Sequence, residues 1–334
     1  LMPLPIEFRT LTSSGQMVEL GRGGEGAVFK VPNLGDKVYK EFLAASYTSP
    51  DHSALTRLID LQNQWTPEEK VWLTNRTVWP ETMVLDNGNL KGFVMPGIQR
   101  RYFRKHGIRV NPKTVLCEWN YLALRTKFHN NPNIVTEVPR VTPPDALALV
   151  HDFAKTMKIL HKYGVIIGDI SGKNLLWTDT PSFQVMIIDC DSFRIMGQGG
   201  VASPKQSPDW DDPHLNGKPT SQESDIYKLA IAAFRAIWAS GTDRPSAPSY
   251  VVPAAPQGVP DEVRGLIARS LQPAGRPTAE EWEKVLALPA MFRGRPAVKM
   301  GSSSGLRPSQ PNSNHGTPMG TLRPTVNMKR DETQ

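Results

Sequence analysis

Apolar and polar positions alternate in short runs through the first hundred residues. Later they recur at helical spacing, and that switch divides the chain. Ala27-Val28-Phe29-Lys30-Val31 and Lys37-Val38-Tyr39-Lys40-Glu41-Phe42 alternate and are rich in β-branched and aromatic residues, as strands are. The runs Thr77 to Leu85 and Leu90 to Pro96 flank Asp86-Asn87-Gly88-Asn89, a turn suited to positive φ, and so predict a β-hairpin. Residues 1–19 read as a short lead-in with a strand-like end at Met17-Val18. Helical spacing places Leu55, Leu58, Ile59 and Gln62 on one face after the start signal Ser49-Pro50-Asp51, and Thr66-Pro67 opens a second helix. Residues 112–129 read as helical, with Trp119, Leu122 and Leu124 as core. Pro143-Pro144-Asp145 starts a stronger helix over 146–163, with Leu149, Phe153, Met157 and Leu160 on one stripe, and Asp225 opens another running to Trp238. Between these two lie short apolar strands at Val165-Ile166-Ile167, Leu175-Leu176-Trp177 and Val185-Met186-Ile187-Ile188. The pattern predicts an α+β protein, strand-rich first and helical later.

Chemistry enters at the breaks. Leu20 to Phe29 contains G-x-G-x-x-G-x-V at Gly21, Gly23, Gly26 and Val28. Glycines let backbone amides approach phosphate oxygens because no Cβ stands between. The same spacing in a dinucleotide fold needs a helix starting at the last glycine. The alternation after Gly26 favours a loop between two strands instead. Further on, Gly168-Asp169 breaks one apolar strand, Asn174 follows Asp169 at the fifth position, and Asp189 ends another strand. Two carboxylates and an amide on loops beside rigid strands suit phosphoryl transfer, which needs a carboxylate to orient a hydroxyl and oxygen ligands for magnesium. His161 has no second histidine at ligand spacing and reads as structural.

Taken in order, these pieces resemble the protein-kinase superfamily. Asp169-Ile170-Ser171-Gly172-Lys173-Asn174 resembles the D-x-x-x-x-N of its catalytic loop, and Asp189-Cys190-Asp191 its D-F-G. Lys40, twelve residues past Val28, stands where the family has its third-strand lysine. Ser207-Pro208-Asp209-Trp210 falls at the A-P-E position, and Leu271 to Trp282, with Arg276, resembles the end of the large lobe. The resemblance covers about Leu20 to Leu288. It implies a bilobal fold: a small β-rich lobe over 20–96, a helical lobe over 97–292, and ATP between them. Gly21, Gly23, Gly26 and Val28 would cover the nucleotide, with Val94 and Met95 at the hinge. Lys40 would orient the phosphates. Asn174, Asp189 and, in one reading, Asp191 would hold Mg2+ or Mn2+, and Asp169 would take the proton of a Ser/Thr hydroxyl. Asp225 would tie down the catalytic-loop backbone, and Arg276 would pair with Asp209. The Ile188-to-Phe193 ending and the Gly92-to-Pro96 hinge look most like a group of bacterial kinases. Some of these carry helix-hairpin-helix domains, and some accompany phosphatase and von Willebrand-type partners.

The chain departs from the family in four places. No glutamate lies on the helix that should hold Lys40, which leaves Asp60, Glu68 and Glu69 as candidate partners. Gly168 replaces the arginine that reads a phosphorylated activation loop, so independence of that phosphorylation is expected. Ser171 replaces a lysine, and Lys173 is the candidate to reach the γ-phosphate instead. Cys190-Asp191 replaces Phe-Gly, with Cys190 read as a small buried hydrophobe. These losses keep an ATP-binding pseudokinase scaffold open as an alternative. Gly168-Asp169 also resembles the H-G-D loop of small-molecule phosphotransferases.

Composition adds limits. Over 334 residues, 39% hydrophobic and 21% charged content is that of a globular protein, and no apolar run reaches membrane-span length. The N-terminus lacks a signal pattern, and Cys117 and Cys190 make no disulfide framework, so a cytoplasmic setting is expected. Net charge is +7, of which seven basic residues less two acidic ones give +5 from Arg293 onward, so no nucleic-acid groove is implied. A basic cluster, Arg100 to Lys105, reads as a connector. The segment 293–334 is Gly-, Ser- and Pro-rich, reads as a disordered tail, and holds Thr317, Thr321 and Thr325. Autophosphorylation there would recruit a phosphothreonine-binding partner.

Overall fold

The computed structural model describes residues 3–24, 26–43, 51–201, 207, 209–246 and 249–287. All belong to the first of two compact units, which ends at Ala297. The tail 293–334 with its three threonines, Ser49-Pro50 of the first helix-start signal, and Pro208 lie outside the described residues.

A six-stranded sheet occupies the first hundred residues. Its strands are β1 (Ile6–Glu7), β2 (Val18–Arg22), β3 (Gly26–Lys30), β4 (Lys37–Phe42), β5 (Thr82–Asp86) and β6 (Asn89–Pro96), in the order β1-β5-β6-β4-β3-β2. The lead-in is part of this sheet: β1 pairs in parallel with β5, and α1 (Phe8–Ser13) buries Leu11. Asn87 and Gly88 both take positive φ, as the β5–β6 turn requires.

The alternation of β4 separates two apolar layers. Tyr39 joins Leu11, Val31, Val84 and Val94 in a small cluster on one face. Val38, Phe42, Phe93 and Met95 join the main core on the other. Gly92 lets β6 lie flush against β4: a Cβ there would stand 2.1 Å from the Lys40 carbonyl oxygen and 2.8 Å from the Tyr39 ring. Gly92→Ala is therefore expected to destabilise the protein by roughly 1–3 kcal/mol, read as a lower urea midpoint.

The elements after β4 cover the core face. Asp51 caps α2 (His52–Leu61) by accepting from the amides of Ser53 and Ala54, and Leu55, Leu58 and Ile59 are buried. Thr66 and Glu69 form a reciprocal cap on α3 (Pro67–Thr74).

The single helix expected over 112–129 does not form. Phe103–Ile108 (β7), Lys113–Leu116 (β8) and Ile134–Thr136 (β9) make a three-stranded sheet with β7 in the middle. Trp119–Ala123 (α4) and Arg125–His129 (α5) are single turns. The Trp119–Leu122 spacing is helical for one turn only. Upstream, the β-branched Thr114-Val115 pairs with Lys105 and Arg104.

The helical part is built on α6 (Pro143–Lys162), whose stripe of Leu149, Phe153, Met157 and Leu160 is fully buried. Beyond α6 come β10 (Val165–Ile166), the hairpin β11 (Leu175–Thr178) and β12 (Gln184–Ile187), and β13 (Arg194–Ile195), which pairs with β10. Helices α7 (Gln222–Trp238), α8 (Glu262–Ser270) and α9 (Ala279–Leu286) complete the described chain, with α6 packed on α7 and α9. Helix α7 starts three residues before Asp225, because Ser221 caps it through the Ser224 amide. Among the described residues no helix is long and apolar enough to cross a membrane. The fold is mixed α+β and compatible with a kinase-like one.

Candidate functional site

Strand β4 carries Lys40 into the core face. It lies opposite Val28 on β3 and Phe93 on β6, with its ammonium 5.8 Å from the Phe93 ring centroid. Residues with this register share a face, so Val28 and Met95 accompany Lys40. Val94 sits in the cluster on the opposite face, so its side chain is turned away from them. Between β2 and β3 the Gly23 amide donates to the Gly26 carbonyl at 2.9 Å and closes the glycine turn. Cβ atoms added at Gly21 and Gly23 would meet nothing within 4 Å, and neither residue has positive φ. Neither packing nor strain within the described chain calls for glycine there. Gly26 is different: a Cβ there would stand 2.6 Å from the Glu41 carbonyl oxygen and 3.2 Å from the Lys40 stem.

The partner of Lys40 is none of the three candidates named from the sequence. Its Nζ lies 2.7 and 3.0 Å from the two carboxylate oxygens of Asp191 and 3.1 Å from Asp189 Oδ1. Asp191 is 1% exposed and Lys40 3%. Burial alone would lower the lysine's pKa, but the attraction of Asp191 and then Asp189 outweighs it and holds the group charged above its ordinary range. Asp60 makes no bond to Lys40. Glu69 is bound instead to Lys162 Nζ at 2.7 Å and to the Tyr163 hydroxyl at 2.5 Å. The acid comes instead from the segment after β12, where Asp191 follows Asp189 by two residues and both meet the ammonium. Asp191, one of the expected metal ligands, thus spends both oxygens on the ammonium.

Glu69 has a consequence for pH. Partial burial raises its carboxyl pKa, but its bonds from Lys162 and Tyr163 more than offset this and bring it down to about 2. A depressed carboxyl stabilises the fold above its unfolded value, near 4.5, and that contribution fades as pH falls toward 2. Glu69→Gln is therefore expected to flatten the acid limb of stability against pH between these values, measured by urea unfolding.

The second half of the site lies between β10 and β12. Asp225, fully buried on α7, accepts from the amides of Ile167 and Gly168, both at 2.8 Å, and from His161 Nε2 at 3.1 Å. Gly168, with φ of +72°, turns the chain there, a conformation L side chains rarely adopt. The turn presents Asp169. Asn174 Nδ2 donates to the Asp169 carboxylate at 2.9 Å and to its carbonyl at 3.0 Å, and Ser207 Oγ donates to the other carboxylate oxygen at 3.1 Å. The sequence placed Ser207 at the A-P-E position but gave no sign of its contact with Asp169.

The β11–β12 hairpin brings Asn174 beside the segment that carries Asp189, since the Ile188 amide donates to the Asn174 carbonyl at 3.0 Å. Asp189 is held at φ 56°, ψ 42°, a left-handed conformation unusual outside glycine. Cys190 next to it is 1% exposed, its thiol pushed well above the usual range by burial.

Asn174 Oδ1 and Asp189 Oδ2 accept no hydrogen bond among the described residues, and the Asp189 side chain is 41% exposed. Among these residues no three His, Cys, Asp or Glu converge on a metal. One carboxylate and one amide oxygen suit a hard cation that takes its other ligands from phosphate and water, as magnesium does. Lys173 is exposed beside this loop.

Arg276 is paired, though not with Asp209. Its guanidinium grips Asp212 at 2.5 and 3.0 Å. Asp209 offers only its backbone carbonyl, to Arg235 and Arg244. The acid needed is three residues further on, and it is buried where Asp209 is exposed.

No family model matches the chain. Over 204 residues, 58% of its length, the chain is 24% identical to Protein kinase YegI of Escherichia coli strain K12. Over 200 residues, 56% of its length, it is 24% identical to Protein kinase YegI of Escherichia coli O157:H7. Both relatives are named as protein kinases, and the similarity to them is distant. The chain spans about a quarter of the length of these relatives, 26% and 25% respectively.

Proposed function

We propose that the chain is an atypical protein kinase that transfers the γ-phosphate of ATP to Ser/Thr hydroxyls, itself included. The observation that carries this reading is the convergence of Lys40 on Asp189 and Asp191, about 150 residues away in sequence, beside an Asp169 carboxylate held by Asn174. In this reading the bilobal arrangement places the nucleotide under Gly21, Gly23 and Gly26, with the hinge at Met95. Lys40 orients the α- and β-phosphates, and Asp191 keeps it in place. Asn174 and Asp189 would hold magnesium, which would supply charge neutralisation on the transferred group. Asp169 orients the acceptor hydroxyl and takes its proton. The distant similarity to proteins named as kinases supports the reaction class.

The test is intact-mass analysis after incubation with magnesium and ATP, beside an Asp169→Asn control. Phosphate-sized increments in the wild type alone are expected. Nucleotide binding with no increment, on the chain itself or on added protein acceptors, would overturn transfer and leave an ATP-binding scaffold.

A further inference from the structure

Helix α7 holds the base-bearing loop by a group that the roles above leave unused. Lys228 lies one turn after Asp225 on the same face of α7 and is fully buried. Its ammonium donates to the Gly168 carbonyl at 2.9 Å and to Asp211 Oδ1 at 3.1 Å. Asp225 takes the Gly168 amide, so two side chains of one helix face grip the same residue from both ends.

The Asp211 contact extends this grip. The Asp211 amide donates to the Ser207 carbonyl at 3.0 Å, and Ser207 Oγ donates to the Asp169 carboxylate at 3.1 Å. Asp169 follows Gly168, so the contacts close into a ring: Gly168, Lys228, Asp211, Ser207, Asp169.

We infer that Lys228 is a positioning residue for phosphoryl transfer. It fixes the base-bearing loop to the segment Ser207–Asp212, so that Ser207 holds the Asp169 carboxylate without any phosphate on that segment. The inference rests on the kinase reading above. A buried ammonium is suited to this task, because it offers several donors at one point and needs no modification to be charged. Gly168 leaves no arginine at that place to read a phosphate, and Lys228 comes from a different element to make the link.

The experiment compares wild type with Lys228→Met, Asp211→Asn and the double variant. It measures kcat, KM for Mg-ATP, nucleotide affinity, and amide hydrogen exchange over 166–170 and 207–212. Misplacing the base should lower kcat by roughly 10–100-fold in Lys228→Met. Nucleotide affinity should stay within about twofold, because Lys40 and the glycine loop lie on the sheet. Asp211→Asn should lower kcat less, and the double variant should match Lys228→Met instead of multiplying the losses. Exchange at the Asp211 amide should rise in each variant.

An unchanged kcat in folded Lys228→Met overturns the inference. So do multiplicative losses, or a kcat loss matched by an equal loss of nucleotide affinity. Should Lys228→Met not fold, Asp211→Asn, at a partly exposed position, carries the same readouts. A wild type with no transfer at all sinks the kinase reading first. In that event unchanged protection at 207–212 in the variants sinks the ring as well, and lost protection supports it.

Discussion

Asp191→Ala is expected to abolish phosphate transfer and to destabilise the fold by about 3 kcal/mol, the scale on which a buried charge is left unpaired. Lys40 would keep only Asp189, whose side chain is 41% exposed and whose other oxygen is assigned to the metal. The lysine is 3% exposed and cannot turn to water. In contrast, Asp60→Asn and Glu68→Gln are expected to leave both transfer and the urea midpoint as in wild type. If either of those variants is as inactive as Asp191→Ala, the assignment of Lys40's anchor is wrong.

Asp225→Ala removes the acceptor for two buried backbone amides and for His161 at once. Each orphaned donor costs the desolvation of a polar group, so a loss of roughly 2–5 kcal/mol is expected. Transfer should fall with it, since Gly168 sets the direction in which Asp169 leaves the loop. Asp225→Asn restores one acceptor but turns an amide donor toward a backbone N–H, so it should fall between. A wild-type urea midpoint for Asp225→Ala would show that the loop is held by something else.

What could be read from the chain in advance was whatever is encoded locally. The glycine turn, the alternation through Lys40, the Asn87-Gly88 hairpin and the buried stripe of α6 each depend on residues a few positions apart, and each stands where the pattern put it. The placement of Asp225 under the loop backbone came only from the family resemblance, and its bonds to the Ile167 and Gly168 amides stand there. The pairing of charges across the chain was not. Asp191 reaches Lys40 over 151 positions, and Lys228 reaches Gly168 over 60. Nothing in spacing distinguishes Asp212 from Asp209 as the partner of Arg276, since burial decides between them. The 112–129 segment failed for a related reason. One turn of helical periodicity is weak against the cross-strand partners that β7 offers to Thr114 and Val115.

The short span between Asp189 and Asp191 has a further effect. The carboxylate assigned to the metal and the one that seats Lys40 ride on the same three residues. A movement that withdraws one withdraws the other. In the kinase reading, seating the lysine and holding the metal are therefore coupled through one short segment rather than through two separate elements.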